Sequence, residues 1–168
     1  DGVCFGVAEG SVHGLIGENG AGKSTLLKIL SGAYTPSTGH LRVAGRAHVF
    51  RSTAEALAAG IAVIYQELQL VPELSVAENL FLGHMPARGG VLDRHRLYEL
   101  AARQLKELGE DIDPRTRLGR LPIAQRQMVE IAKALSRNAK LIVMDAPTSS
   151  ISDREIERLF RIIRDLRA

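Results

Sequence analysis

Residues 17–24 read Gly17-Glu18-Asn19-Gly20-Ala21-Gly22-Lys23-Ser24, and this stretch decides the fold. Its spacing fits G-x-x-x-x-G-K-[ST], a phosphate-binding loop. Glycines let consecutive backbone N–H groups turn inward around phosphate oxygens, where a Cβ would obstruct them. The following helix aims its positive N-terminal end at the same phosphates. Lys23 supplies a mobile charge to the β- and γ-phosphates, and the Ser24 hydroxyl can ligate Mg²⁺, with Thr25 next in the binding set. A glycine-rich turn before an ordinary helix is the bland alternative. Against it, the motif sits between a strand-like run and a helical run, as phosphate binding requires.

The other half of such a site is an apolar strand ending in an acid, and Leu141-Ile142-Val143-Met144-Asp145 supplies it. Leu141 to Met144 is expected to be a short strand of the buried, parallel-sheet kind, and at its carboxyl end Asp145 would hold Mg²⁺ directly or through water. An apolar run followed by Asp is common in itself; the phosphate loop gives it meaning.

Outward from these two runs, short β-rich segments alternate with helices. Val3 to Val7 and Ser11 to Ile16 are expected to be strands around a turn at Glu9-Gly10, followed by a helix over about Lys23 to Leu30. Leu41 to Val43 and Ile61 to Tyr65 are further strands. Ser52 with Glu55, and Ser75 with Glu78, are capping-box patterns, and Gly60 and Gly83 close the helices they open. From about Gly83 to Leu135 no strand is expected. Asp93 caps a helix with Leu97, Leu100, Ala101, Leu105 and Leu108 on one face, ended by Gly109. A second helix carries Met128, Ile131, Ala132 and Leu135. Ser152 with Glu155 opens a last helix with Ile156, Leu159, Phe160 and Ile163 on its core face. Core packing accounts for these faces without any function. The fold class is α/β with an all-helical insertion. One partial domain is expected over 1–168, with the core at about 1–83 and 136–168 and the helical subdomain at about 84–135.

Composition narrows the function classes. Of 168 residues, 45% are apolar and 24% charged, ordinary for a globular protein. The formal charge is only +3, with no basic block of the kind that tracks a phosphate backbone, so no nucleic-acid partner is expected. No run approaches the roughly 20 apolar residues of a membrane helix. The single cysteine, Cys4, can form no internal disulfide, and no Cys/His spacing suggests zinc. The chain begins at Asp1 and stops at Ala168 in or just after a helix, and reads as a piece of a longer polypeptide, incomplete at both ends.

With these motifs assembled, the chain resembles an ABC-transporter ATPase subunit over nearly its whole length. On that resemblance Gln66 is the Q-loop glutamine, which contacts Mg²⁺ and the attacking water. Leu121-Pro122-Ile123-Ala124-Gln125 occupies the place of the L-S-G-G-Q signature, which completes the ATP site of the opposite subunit. Asp145-Ala146-Pro147-Thr148 occupies the place of D-E-P-T, and Ser149 to Ser152 that of the D-loop. The helical insertion is the region that docks on the membrane partner. The segments GENGAGKSTLLKILSGAY, YQELQLVPELSVAENLFLG and QMVEIAKALSRNAKLIVMD are similar to the monosaccharide (ribose, galactose or xylose) importers. Those ATPases fuse two ATP-binding halves, and the intact loop matches the N-terminal one.

The resemblance implies ATP and Mg²⁺ as ligands. Its partners would be a second ATP-binding half in the same polypeptide, transmembrane permease subunits and, indirectly, a periplasmic sugar-binding protein. The location would be peripheral, on the cytoplasmic face of the cell membrane. The family's switch histidine would lie beyond Ala168 and its adenine-stacking aromatic before Asp1. His13, His40, His48, His84 and His95 fit neither role and read as surface or turn residues.

Several positions depart from the family pattern. Ala146 stands where a glutamate polarises the attacking water, and a methyl group accepts no proton. General-base catalysis contributes about 10²–10⁴-fold, so impaired hydrolysis with intact binding is expected. Pro122 replaces a serine and removes a hydroxyl and an N–H, and Ala124 replaces a glycine. A non-hydrolysing regulatory half therefore stands as one alternative, and a soluble non-transport ABC ATPase as another. A small-molecule kinase would have no use for the Q-loop or the helical insertion.

Overall fold

The computed structural model describes residues 2–18, 20–65, 68–137 and 139–145. The expectations placed on Asn19, Gln66, Ala146, Pro147, Thr148, Ser149 to Ser152 and the last helix fall outside those residues.

Residues 17–22 lead into helix α1 (Lys23–Leu30). A hairpin follows, strands β1 (Leu41–Val43) and β2 (Arg46–His48), with Leu41 opposite His48 and Val43 opposite Arg46. Its two turn residues, Ala44 and Gly45, have φ of 48° and 78°. Left-handed backbone at both central positions matches the twist of a two-residue hairpin. Next come α2 (Thr53–Ala58) and strand β3 (Ile61–Ile64). After α3 (Val76–Leu80) come β4 (Ala87–Arg88) and β5 (Val91–Leu92), then α4 (Arg94–Glu107), a 3₁₀ turn (Leu118–Arg120), α5 (Ile123–Leu135) and β6 (Leu141–Met144).

β3 and β6 pair in parallel, Ile61 with Leu141 through Ile64 with Met144. Both faces of this pair are covered, which is why each strand is an unbroken apolar run. Ile61, Val63, Leu141 and Val143 pack with Phe50, Ala56 and the hairpin residues Leu41 and Val43. On the opposite face Ala62, Ile64, Ile142 and Met144 meet Met128, Ile131 and Ala134 of α5. The other side of α5, Val129 and Ala132, joins Val76, Leu80, Leu97, Ala101, Leu105 and Leu118 in the core of the insertion. Helix α5 is thus a wall shared by two cores.

The caps formed largely as expected. Ser75 and Glu78 make the reciprocal box on α3: the Glu78 N–H donates to Ser75 Oγ (3.2 Å) and the Ser75 N–H to Glu78 Oε2 (2.8 Å). On α2 only half of it forms. The Glu55 N–H donates to Ser52 Oγ, while the Glu55 carboxylate accepts from Arg51 N rather than from Ser52. Gly60 closes α2 at φ 91°, where an added Cβ would lie 3.1 Å from the Lys140 side chain.

Three expectations are corrected. Val3 to Val7 and Ser11 to Ile16 are not strands. A strand needs a neighbour for its N–H and C=O groups, and among the described residues neither run has one. Their side chains stay exposed, Ile16 at 95%. The insertion is not purely helical either, since β4 and β5 form a small antiparallel hairpin, Ala87 opposite Leu92. Lastly, β6 is half-buried rather than fully buried.

Candidate nucleotide-binding site

The phosphate loop is shaped by its own sequence. Gly20 and Gly22 hold φ of 87° and 91°, a region that L side chains rarely adopt, and the space where a Cβ would stand is open at both. At Gly17 an added Cβ would come within 3.2 Å of the Ala21 Cβ, so glycine allows the two ends of the turn to approach closely. The Ala21 N–H donates to the Glu18 carbonyl at 3.1 Å. Lys23 curls back into the loop, its Nζ donating to the Gly17 carbonyl (2.7 Å) and the Glu18 carbonyl (2.9 Å). Helix α1 has no side-chain cap at Gly22 and no acid in its first turn. Ser24 and Thr25 on that turn are exposed.

An uncapped helix N-terminus, an ammonium and open left-handed glycines form a cradle for a polyanion. The donor set fits a nucleotide's phosphates. No group of three or more His, Cys, Asp or Glu that could hold a metal occurs among the described residues. A divalent ion here would draw most of its oxygens from the substrate and water. That is the habit of Mg²⁺, and Ser24 and Asp145 suit the few protein positions it leaves.

Asp145 follows β6 directly and is half-buried. Its N–H donates to the Ile64 carbonyl at 2.9 Å, so it extends the parallel ladder beside the end of β3. The structure therefore brings Asp145 to the point where the chain leaves β3 toward Gln66. Among the described residues no hydrogen bond or ion pair joins Lys23 or Ser24 to Asp145.

The signature segment is split between a turn and a helix. Leu121 is buried, Pro122 is the N-cap of α5 without a capping side chain, and Ile123, Ala124 and Gln125 form the first helical turn. Arg126 secures this turn from behind, Nε donating to the Leu121 carbonyl and Nη2 to that of Gly119, each at 2.8 Å. Of the histidines, His13, His40, His84 and His95 are exposed, while His48 is half-buried and stacks on Phe50.

Sequence reasoning missed a polar cluster beyond the signature. Glu130 is buried in α5 at 5% exposure, and burial pushes its carboxyl above the ordinary range. Lys133, one turn on, is half-buried, and burial lowers its ammonium from the usual lysine value. Lys133 Nζ donates to the Gln69 carbonyl at 2.6 Å. Asn79, fully buried in α3, holds Val71 two residues further on. The signal lay in Met128-Val129-Glu130-Ile131-Ala132, where a carboxylate interrupts an otherwise apolar run.

The family model described as ABC transporter matches residues 1–149. This chain belongs to the ABC transporter family. It is 60% identical over 165 residues to the arabinose import ATP-binding protein AraG of Pseudomonas savastanoi pv. phaseolicola, covering 98% of this chain and 32% of that protein. The AraG protein of Yersinia pestis is 59% identical over 168 residues, covering 100% of this chain and 32% of its own length. This ABC chain thus spans about a third of the curated relatives it matches. Among solved structures it superposes on the ADP conformation of MJ1267, an ATP-binding cassette of an ABC transporter, with a TM-score of 0.81 and 28% identity. That match covers 99% of this chain and 70% of MJ1267. The expected α/β fold of the phosphate-loop ATPases is borne out. No helix among the described residues is long and apolar enough to cross a membrane.

Proposed function

We propose that this chain is the ATP-binding, energy-coupling domain of a monosaccharide importer, the N-terminal half of a fused two-domain ATPase. The observation that carries the reading is the Gly17–Ser24 loop, with the Lys23 ammonium turned into it at an uncapped helix N-terminus. The similarity to arabinose import proteins supports a pentose as cargo. The core at about 1–83 and 136–168 would bind nucleotide, and the region at about 84–135 would dock on the permease. The protein would sit peripherally on the cytoplasmic membrane face, with a periplasmic sugar-binding protein as an indirect partner.

In this reading the amides of Gly17 to Thr25, Asn19 included, surround the phosphates, and Lys23 neutralises the β- and γ-oxygens. Ser24, Asp145 and Gln66 are the residues to hold Mg²⁺, which supplies charge neutralisation on the transferring phosphoryl group. Leu121, Pro122, Ile123, Ala124 and Gln125 face the nucleotide of the other half. Water attacks the γ-phosphorus, the bond to the β–γ bridging oxygen breaks, and ADP and phosphate leave. The proton released by that water needs an acceptor, and the Ala146 methyl offers none. Binding therefore outlasts hydrolysis.

A second reading, a nucleotide-binding half that regulates rather than hydrolyses, is favoured by Ala146 together with Pro122 and Ala124. Measuring Mg-ATP binding and turnover in the full-length parent protein separates the two. Lys23→Ala should abolish binding. Ala146→Glu should raise turnover by about 10²–10⁴-fold with little change in affinity. If Ala146→Glu restores nothing while ATP still binds, the missing base is not the defect and the regulatory reading takes its place.

A further inference from the structure

Charge is spread unevenly along this chain. Residues 19–54 contain no Asp or Glu, where the composition would place about four. The same stretch holds Lys23, Lys28, Arg42, Arg46 and Arg51. Of the 22 Lys and Arg, these five leave 17 elsewhere against all 19 carboxylates. The formal charge of +3 is thus +5 in this stretch and −2 over the rest of the chain.

Folding gathers these cations beside the nucleotide site. Helix α1 carries the chain about 12 Å from the phosphate loop to its own end. There Gly32 lies so close to the residues after β2 that an added Cβ would collide with the Ser52 carbonyl. Leu41 and Val43 of the β1–β2 hairpin pack with Val63 of β3 and Val143 of β6, the strand that Asp145 follows. Arg42, Arg46, Arg51 and Lys28 are all exposed, and none forms an ion pair among the described residues. Lys28 Nζ lies 5.2 Å from the Tyr34 ring centroid. Glu55, the first acid after the stretch, accepts from the Arg51 backbone N–H.

Unpaired like charges repel one another, so this face does not help the fold to hold together. It does provide a positive field that an approaching polyanion feels before contact. Interspersed carboxylates would cancel that field. We propose that Arg42, Arg46 and Arg51, with Lys28, steer the triphosphate of an incoming nucleotide toward the Gly17–Ser24 loop. They raise the rate of capture, while the grip on bound phosphates belongs to Lys23 and the loop amides. The choice of a nucleotide as ligand rests on the function proposed above; the asymmetry of charge does not.

The test follows N-methylanthraniloyl-ATP with Mg²⁺ binding to the full-length parent protein, by stopped-flow fluorescence across a salt series. The kinetic phase that Lys23→Ala removes reports this loop. In that phase, Arg42→Glu with Arg46→Glu should slow association about fivefold at about 10 mM ionic strength. At about 0.15 M the slowing should fall below about twofold, because the Debye length shrinks from about 30 Å to about 8 Å. Dissociation should stay within about twofold throughout, since the loop is untouched. Arg42→Gln with Arg46→Gln should slow association less, in the same direction. A gap that persists at about 0.5 M salt marks altered folding or direct contact and overturns steering. The same reversal in the insertion, Arg88→Glu with Arg103→Glu, should change association by less than about twofold. Equal slowing there makes net charge the cause and overturns the proposal, as does unchanged association at low salt in the hairpin variant. If Lys23→Ala removes no phase, the proposed function falls and steering with it. A phase that Lys23→Ala removes but salt leaves unaltered overturns steering alone.

Discussion

Asn79 has no exposed surface, and its side chain makes three hydrogen bonds, two with the Val71 backbone and one to the Ser75 carbonyl at 3.0 Å. A buried amide with its bonds made is close to neutral for stability, but truncation takes the partner from the half-buried Val71 N–H and one of two donors from its carbonyl, which keeps the Leu74 N–H, and leaves a cavity. Asn79→Ala is therefore expected to destabilise the domain by about 2–3 kcal/mol, read as a lower denaturation midpoint with an unchanged slope. Asn79→Leu should do no better, since shape alone does not satisfy Val71. Lys23 and Ser24 were plain in sequence because their role follows from spacing along one loop. The hold of Lys133 on Gln69 was not, because Gln69 lies 64 positions away and only folding brings it near.

Helix α3 is five residues long, too short to be stable alone, and so depends on its cap and its packing. Ser75→Ala removes the acceptor for the Glu78 N–H and a partner of its carboxylate, at a cost of about 1 kcal/mol. The Ser75 hydroxyl and then its N–H hold the Glu78 carboxyl below the ordinary value of 4.5. The folded state therefore binds this proton less readily than the unfolded state. The cap's contribution is complete above pH 4.5 and fades as pH falls through the lower folded-state value. Thermal midpoints of the two proteins should differ at neutral pH and converge in acid; a gap independent of pH would refute the role of Glu78. This cap was legible because both partners sit within one turn. The strand β2 was not. Its sequence Arg46-Ala47-His48 has no strand preference, and the cue lay in the left-handed turn at Ala44-Gly45. At Val3 to Val7 the reverse held, since β-rich residues remained unpaired for want of a neighbouring strand.

At the scale of the molecule, α5 separates the insertion core from the core on the sheet. Leu105 is fully buried in the first, and Ile61 packs with Phe50 and Ala56 beyond the second. Leu105→Ala should cost about 2–5 kcal/mol and Ile61→Val about 0.5–1.5 kcal/mol. Because the two share no partner, the double variant should equal their sum within about 0.5 kcal/mol, measured by denaturant unfolding; a larger departure would mean that α5 transmits strain between the cores. The same wall carries the signature turn at its start and, near its end, Lys133 with its bond to the Gln69 carbonyl, so the two are parts of one element. By itself the sequence determined the phosphate loop, the capped helices, the apolar strands β3 and β6 and the family, because each is written in residues close together along the chain. Its substitution at Ala146 is likewise a fact of sequence. Only the tertiary structure decided that β3 pairs with β6 across the whole insertion, that Asp145 extends that pairing, and that Lys133 holds the Gln69 carbonyl. Those contacts join distant residues, and their energy comes from desolvation and geometry that no local pattern encodes.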